Sequence, residues 1–446
     1  MKKALVLGLG VSGIAAAEFL ALQGYLVIGA DRNYQKIATS PGGLRLKEKN
    51  ISVQADTADF DWSGIELLLL SPGVPQSHPI CQRAISLRIE ILGEAELAFR
   101  HLNQKCVGIT GTNGKTTVTL LAEHVFNAAG IKARALGNVG EPLTNYVLQN
   151  DPEEVIIAEL SSYQLETLKR KSFDAAVIMN ITPDHLDRHR SMEEYALAKC
   201  QILSCMKDRG ILYVHENVMR DYQNMLNGPN VRTFGSSKDQ DLWTDKKAIW
   251  RREKIETLLP VRYRELGMHE SENALAVWSL GRAFGITAEQ FCYAVETFKK
   301  PPHRIEFVAS VEGVSFYDDS KGTNIDAVIQ AVGSMSGPVI LIAGGVDKGA
   351  SYLPWHKLLK GKIKKIIAIG QASSKIEREL CPYFEIEMAD SLANAVAKAV
   401  ACAVSGDHVL LSPGCSSFDM FRDYTHRGRE FQRHVQDLVE ERRKKK

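Results

Sequence analysis

The residues best suited to chemistry lie in one stretch, GITGTNGKTT, from Gly108 to Thr117. Glycines let a backbone come close to a phosphate chain, and the N–H groups at a helix start attract the anion together with the helix dipole. In such a turn a lysine, here Lys115, reaches the terminal phosphates, and a hydroxyl, here Thr116, reaches a magnesium ion. The spacing departs from the common phosphate loop, because Ile109 stands where G-x-x-x-x-G-K-[ST] has its first glycine. The turn instead spaces its glycines as Gly108, Gly111 and Gly114. The flanks are right for the motif: KCVGI before it reads as the end of a buried strand. TTVTLLAEHVFN after it reads as a helix with apolar residues at three- and four-residue spacing. Against a glycine-rich turn with an accidental Lys-Thr, those flanks favour a nucleotide site.

Further candidates follow in chain order. Gly8-x-Gly10-x-x-Gly13, between a strand at Ala4 to Gly10 and a helix at Ser12 to Leu22, matches a dinucleotide fingerprint, with Asp31 ending the next strand. Its physical content is a glycine turn offering N–H groups to a phosphate or diphosphate; tight helix–strand packing without a ligand is the alternative. Ser71-Pro72-Gly73 follows the buried run Ile65 to Leu70, where parallel sheets bind ligands, although a proline-rigid turn reads equally well. Glu159 sits near the end of VIIAEL, placed to hold magnesium beside the phosphate loop. His185 and His189 are four apart, but no third soft ligand lies nearby and Pro183 opens the segment as a turn. A structural zinc is therefore disfavoured: His185 reads as a hard-metal or substrate contact and His189 as solvated. Lys199, in an amphipathic helix after Ser191, reads as a surface lysine.

The elements that must position these groups alternate between strand and helix along the chain, which indicates α/β units with sites on one rim of each sheet. Residues 239–256 are polar and poorly patterned, a long helix is expected over 274–284, and Pro301-Pro302 marks a linker. Later strands are expected at 305–309, 314–317, 339–343, 366–370 and 408–411. At 446 residues the chain should hold about three domains. Hydrophobic and charged contents of 45% and 24% are ordinary, and a net charge of +2 gives no reason to expect nucleic acid or a membrane surface. Eight scattered cysteines without a C-x-x-C pair fit reduced thiols. With no signal peptide and no apolar run of about 18 residues, a cytoplasmic protein without membrane insertion is expected. The basic end ERRKKK reads as a solvated helix terminus.

The motifs TGTNGKTT, GNVG, ELSSYQL, TPDHLDRH, a helix lysine, HESEN, PPHR, DDSKGTN and LSPGCSSFDMF occur in this order over the whole chain. Together they resemble the Mur ligases, ATP-dependent amide-bond ligases of peptidoglycan precursor synthesis. GLGVSG, Asp31-Arg32 and SPGVP make the likeness strongest to the members that join D-glutamate to UDP-N-acetylmuramoyl-L-alanine. The resemblance implies a Rossmann-like domain binding the UDP substrate over residues 1–93 and a central P-loop ATPase-type domain with a parallel or mixed sheet over 94–300. A C-terminal Rossmann-like domain, residues 301–446, would bind D-glutamate and complete the ATP site. UDP-substrate contacts are implied at Gly10, Val11, Ser12, Asp31, Arg32, Ser71, Pro72, Gly73 and Asn138. ATP is implied on Gly111, Thr112, Asn113, Gly114, Lys115, Thr116 and Thr117, with Asn273, Arg304 and Asp319. Magnesium, two ions, is implied at Thr116, Glu159, His185 and Lys199, the lysine being carbamylated. D-glutamate is implied at Lys321, Thr323, Lys348, Ser417 and Tyr424, the last a position often held by Phe. Lys115, Lys199, His185 and Lys321 would be catalytic, in a monomer. The alternatives are another ATP-dependent amide ligase of this fold, a nucleotide-binding switch and, more distantly, a dehydrogenase.

Overall fold

A computed structural model describes residues 2–57, 60–186 and 188–444. Asp187 of the TPDHLDRH motif and Lys445-Lys446 of the basic end lie outside the described residues. The chain forms two compact units. The first comprises Met1–Asn180, Glu193–Leu259 and Glu272–Thr297; the second comprises Ile181–Met192, Pro260–Ser271 and Phe298–Lys446.

The first unit holds two sheets. β1 (Lys3–Leu7), β2 (Leu26–Ala30), β3 (Ser52–Gln54), β4 (Ile65–Leu70) and β5 (Glu90–Gly93) form a parallel sheet in the order β3-β2-β1-β4-β5. β1 and β4 are nearly continuous in apolar residues because apolar clusters cover both faces of this sheet. The larger sheet contains β6 (Cys106–Thr110), β7 (Ala133–Gly137), β8 (Val155–Glu159), β9 (Phe173–Ile178), β10 (Met206–His215) and β11 (Val231–Gly235). β12 (Leu242–Thr244), β13 (Ala248–Arg251) and β14 (Lys254–Leu258) extend it, giving the order β14-β13-β12-β11-β10-β9-β6-β8-β7. Pairing is parallel from β7 to β12 and antiparallel across β12-β13-β14.

That antiparallel extension corrects the reading of 239–256 as polar and poorly patterned. Its strands are three to five residues long, β12 buried throughout and β14 mostly exposed, too short for alternation to stand out. Stacked Trp243 and Trp250, with ring centroids 5.1 Å apart, supply the cross-strand packing. The long helix also begins earlier than expected, at Met268 rather than Ala274, and ends at Ala283. Asn273 therefore sits within the helix and not ahead of it.

The second unit carries β15 (Glu306–Val311), β16 (Val314–Asp318), β17 (Val339–Gly344), β18 (Ile363–Ile369), β19 (Ile386–Met388) and β20 (His408–Leu411), ordered β15-β16-β20-β17-β18-β19. All pairs are parallel except β15 with β16. Apolar clusters again cover both faces, as in a doubly wound sheet. The α/β class with mostly parallel sheets is thus as expected. No described helix is long and apolar enough to cross a membrane.

Candidate active site

In the first unit, β6 runs into Gly111 (φ 153°) and Gly114 (φ 82°), and the helix Lys115–Ala128 starts immediately afterwards. A Cβ on Gly111 would stand 2.9 Å from Met179, and one on Gly114 would stand 2.9 Å from Asn273 Oδ1. Both positions therefore exclude side chains on two counts. Gly108 does something else: it lies inside β6, where a Cβ would press on Ile202 and Phe173 at 3.1 Å. It is a strand-packing glycine, and the loop proper has two glycines, not three. The N-cap residue is Gly114, which carries no side chain to cap the helix, and a helix start of this kind favours an anion.

Asn180, at the end of the β9 segment, fixes the loop. Its Oδ1 accepts from the N–H groups of Thr112 (3.0 Å) and Asn113 (2.7 Å), and its Nδ2 donates to Asn113 O (3.1 Å). Lys115 Nζ donates to the carbonyl oxygens of Gly111 and Thr112, both at 2.8 Å. Lys199 is the largest correction to the sequence reading. Only 1% exposed, it donates from Nζ to the same Gly111 oxygen at 2.7 Å and lies 4.6 Å from the Tyr195 ring centroid. Tyr195 Oη in turn meets Thr112 Oγ1 at 3.1 Å. Two lysines from distant parts of the chain thus share one loop carbonyl.

β8 pairs with β6 so that Glu159 stands opposite Ile109. Glu159 is buried; its Oε1 accepts from Asn138 Nδ2 at 2.7 Å, and Asn138 N–H donates to the Glu159 carbonyl at 2.9 Å. Its Oε2 is buried with no hydrogen-bond partner among the described residues. An ionised oxygen left this way is costly unless a cation or proton donor completes it. Carboxylate and hydroxyl oxygens form the hard donor set that suits magnesium. Glu159 and Thr116 therefore fit that ion, and Asn138 holds the carboxylate in place.

The N-terminal glycine turn packs against the loop after β4. A Cβ on Gly8 (φ 87°) would meet Val74 at 2.7 Å and Ser71 at 2.9 Å, and one on Gly13 would overlap Gly8 O. Among the described residues, nothing beyond the chain neighbours lies within 4 Å of the Cβ positions of Gly10 and Gly73, and Val11 and Arg32 are exposed. Ser12 lies in the first turn of the helix Val11–Leu22, one residue later than its start, and Pro72 is half-buried. Asp31 braces the turn: Oδ2 accepts from Leu9 N–H at 2.8 Å and Oδ1 from Asn33 N–H at 2.7 Å.

In the second unit a charged cluster forms around Asp184, which the sequence reading did not single out. Lys348 Nζ lies 3.0 Å from Asp184 Oδ1 and 3.5 Å from Thr323 Oγ1, while Asn324 Nδ2 donates to Asp184 Oδ2 at 3.2 Å. Burial would raise the Asp184 carboxyl, but Lys348, His185 and the Asn324 bond more than offset it and hold the group below its ordinary value. His185 has a left-handed backbone (φ 55°), and its Nε2 is 3.6 Å from Asp184 Oδ2. His189, read as solvated, is buried, and its N–H donates to His185 O at 2.9 Å within one tight turn. The TPDH motif carried a signal for Asp184, but its partners lie 140 and 164 residues away.

Lys321 Nζ lies 3.9 Å from the Tyr424 ring centroid, a cation–π contact. Asp319 is buried and accepts from Ser412 Oγ at 2.7 Å. Burial pushes its carboxyl up to about 7, against the opposing pull of Ser412 and the Arg304 guanidinium. Arg427, 1% exposed, ties these loops together. Nε donates to Ser320 Oγ at 3.0 Å, Nη2 to Ser320 O at 2.8 Å, and both terminal nitrogens to Cys415 O at 3.2 Å. Tyr352 adds a second tie, its hydroxyl 3.2 Å from Asp347 Oδ1 and 2.9 Å from Cys415 Sγ. Asp347 precedes Lys348, and Cys415 lies two residues before Ser417, which is buried on that loop.

Three family descriptions match the chain: "Mur ligase MurD-like, N-terminal domain" over residues 2–93, "Mur ligase middle domain" over 109–281 and "Mur ligase, glutamate ligase domain" over 303–415. The UDP-N-acetylmuramoylalanine--D-glutamate ligase of Protochlamydia amoebophila is 48% identical over 437 residues, covering 98% of each chain. The protein of the same name from Caldanaerobacter subterraneus is 39% identical, again over 98% of each. Among solved structures, the UDP-N-acetylmuramate-alanine ligase MurC of Thermotoga maritima aligns with a TM-score of 0.61 at 17% identity, covering 98% of this chain and 100% of that one. MurF ligase of Thermotoga maritima, in complex with ADP, aligns with a TM-score of 0.61 at 16% identity over 93% and 95%. At such identities the structural likeness concerns the fold.

Proposed function

The chain belongs to the Mur ligase family, and from that premise we propose that it is the ATP-dependent ligase that adds D-glutamate to UDP-N-acetylmuramoyl-L-alanine in peptidoglycan precursor synthesis. The L-alanyl carboxylate attacks the γ-phosphorus of ATP, releasing ADP and leaving an acyl phosphate. The amine of D-glutamate then attacks the acyl carbon, and phosphate departs from a tetrahedral intermediate. The observation that carries the reading is the convergence of Lys115 and Lys199 on the Gly111 carbonyl, in a glycine loop that leads directly into a helix start.

The residues divide the work. The loop from Gly111 to Thr117 and Asn273 bind ATP, and Arg304 and Asp319 are its further ATP contacts in this reading. Lys115 offsets charge on the terminal phosphates as two anions are brought together. Two magnesium ions, when bound, neutralise that same charge. Thr116, Glu159, His185 and a carbamylated Lys199 would hold them. Carbamylation turns the Lys199 cation into an anion and removes a like charge from beside Lys115, which supports that modification physically. Lys321, Thr323, Lys348, Ser417 and Tyr424 receive D-glutamate, whose two carboxylates call for cations and hydroxyls. Gly10, Val11, Ser12, Arg32, Ser71, Pro72, Gly73 and Asn138 hold the UDP part, with Asp31 shaping the turn. We assign residues 1–93, 94–300 and 301–446 as the three functional domains of a cytoplasmic monomer.

The test uses substrate labelled with heavy oxygen in the L-alanyl carboxylate. One labelled oxygen should appear in the released phosphate for every amide formed. Phosphate that stays unlabelled while amide accumulates would overturn the acyl-phosphate route.

A further inference from the structure

The first unit contains a cavity of about 820 Å³ with none of the nucleotide-loop residues in its lining. Its apolar part is Ile211, Tyr213, Leu242 and Ala283, of which Tyr213 and Leu242 are buried. Its charged part is unbalanced: Arg232, Arg251, Arg252, Lys254 and Arg282 face Asp241 and Glu253. A solvated hairpin tip would account for Arg252 and Lys254 alone. It does not account for the arrangement behind them.

Glu256 holds two of the arginines side by side. Arg251 Nε lies 2.8 Å from its Oε1, Arg282 Nε lies 3.2 Å from its Oε2, and Trp278 Nε1 donates to Oε2 at 3.1 Å. Each guanidinium spends its Nε on that carboxylate. The terminal nitrogens are the fork that binds phosphate bidentately. One carboxylate with two arginines leaves a net positive charge, which Arg232, Arg252 and Lys254 increase.

The cavity and the nucleotide loop lie at opposite ends of one helix. Asn273, in its first half, abuts Gly114, whereas Arg282 and Ala283 are its last residues. Nine residues at 1.5 Å each separate Asn273 from Arg282 by about 14 Å. The two places are therefore distinct positions on the same helix, and no residue of the nucleotide loop lines the cavity.

We propose that this cavity is a second anion site, which takes a phosphorylated small molecule carrying a flat apolar group, the chemistry of a nucleotide. Phosphate meets the arginine forks, and the ring rests against the apolar side of the lining, Ile211 and Ala283 with Tyr213 and Leu242 behind them. The volume falls in the range of small-molecule sites, and the concave shape favours such a ligand over an acidic protein face.

Calorimetric titration of the full chain with ADP tests this. Two binding events are expected. Lys115→Ala should weaken the first and keep the second. Arg252→Glu with Lys254→Glu should weaken the second by about tenfold or more, as for a lost charge-assisted contact, and keep the first. Arg232→Glu, on a separate strand, should act in the same direction, with thermal midpoints confirming that each variant is folded. Inorganic pyrophosphate should compete for the second site, more weakly than ADP, and adenosine should not saturate it. A single event in the wild type would overturn the proposal. So would a second event unaffected by charge reversal, or one saturated by adenosine alone. Ligase activity measured in parallel reports on the proposed reaction separately, because neither Arg252 nor Lys254 belongs to its site.

Discussion

The phosphate loop of the first unit and the Asp184–Lys348 cluster of the second are both made of loops at strand ends, but they are assembled in opposite ways. The phosphate loop is one run of residues whose backbone forms the recognition surface. Two glycines give it shape, and Asn180 clamps it through three hydrogen bonds. The second-unit cluster is made of side chains from three separate segments, which carry Asp184, Asn324 and Lys348. Buried polar ties such as Arg427 and Tyr352 hold those segments together. A backbone-built site can lose one side chain and keep its form. A side-chain-built site depends on each tie, and substitutions should separate the two kinds.

The largest effect is expected for Lys115→Ala. ADP formation should fall about 10³-fold with the fold retained, since a preorganised charge beside the transferred phosphoryl group is worth that much. Single-turnover kinetics and a melting curve would check both halves. Lys199→Ala should cost about 10²-fold, and short carboxylic acids added to the assay should restore part of the loss. Full activity in the variant, or a loss that such acids leave untouched, would remove the carbamate role.

Arg427→Leu should act on stability. It leaves the carbonyls of Ser320 and Cys415 without their donor, at about 1–3 kcal/mol for each buried group. Urea unfolding should show the second unit weakened while ADP binding to the phosphate loop persists.

Asp319 gives a pH-dependent effect. Its carboxyl is pushed from an ordinary 3.8 up to about 7 in the folded chain. The folded state therefore keeps a proton that the unfolded state releases. That contribution is fully present below pH 3.8 and is lost as pH rises through about 7. Asp319→Asn lacks this dependence, so it should gain more stability over the wild type at pH 8 than at pH 5 in thermal melts.

Tyr352→Phe should have the smallest effect. Removing one hydroxyl tie should raise KM for D-glutamate about fivefold, in line with a single hydrogen bond, and leave KM for ATP unchanged. Equal changes in both constants would show that the tie serves the whole unit and not the amino-acid loops.

This contrast also explains what the sequence could reveal. Gly111, Gly114, Lys115 and Glu159 were legible because each is placed by local pattern: a strand end, a turn and a helix start. Lys199 was not. Its burial depends on a carbonyl 88 residues earlier, and nothing in MEEYALAKC distinguishes it from a solvated lysine. Asp184 stood in a readable motif, but its role depends on partners supplied by remote loops. Gly108 was misread as a loop residue because its packing partners, Ile202 and Phe173, come from other elements. β12 to β14 were missed because strands of three to five residues carry little alternation, although Trp243 and Trp250 were a usable hint.

The most direct measurement is ADP release in a substrate matrix, with UDP-N-acetylmuramoyl-L-alanine and D-glutamate each present or absent and L-lysine or diaminopimelate as replacements. The account predicts sustained ADP release, matched by amide product, only when UDP-N-acetylmuramoyl-L-alanine and D-glutamate are both present. Slow hydrolysis indifferent to both substrates, or equal turnover with another amino acid, would contradict it.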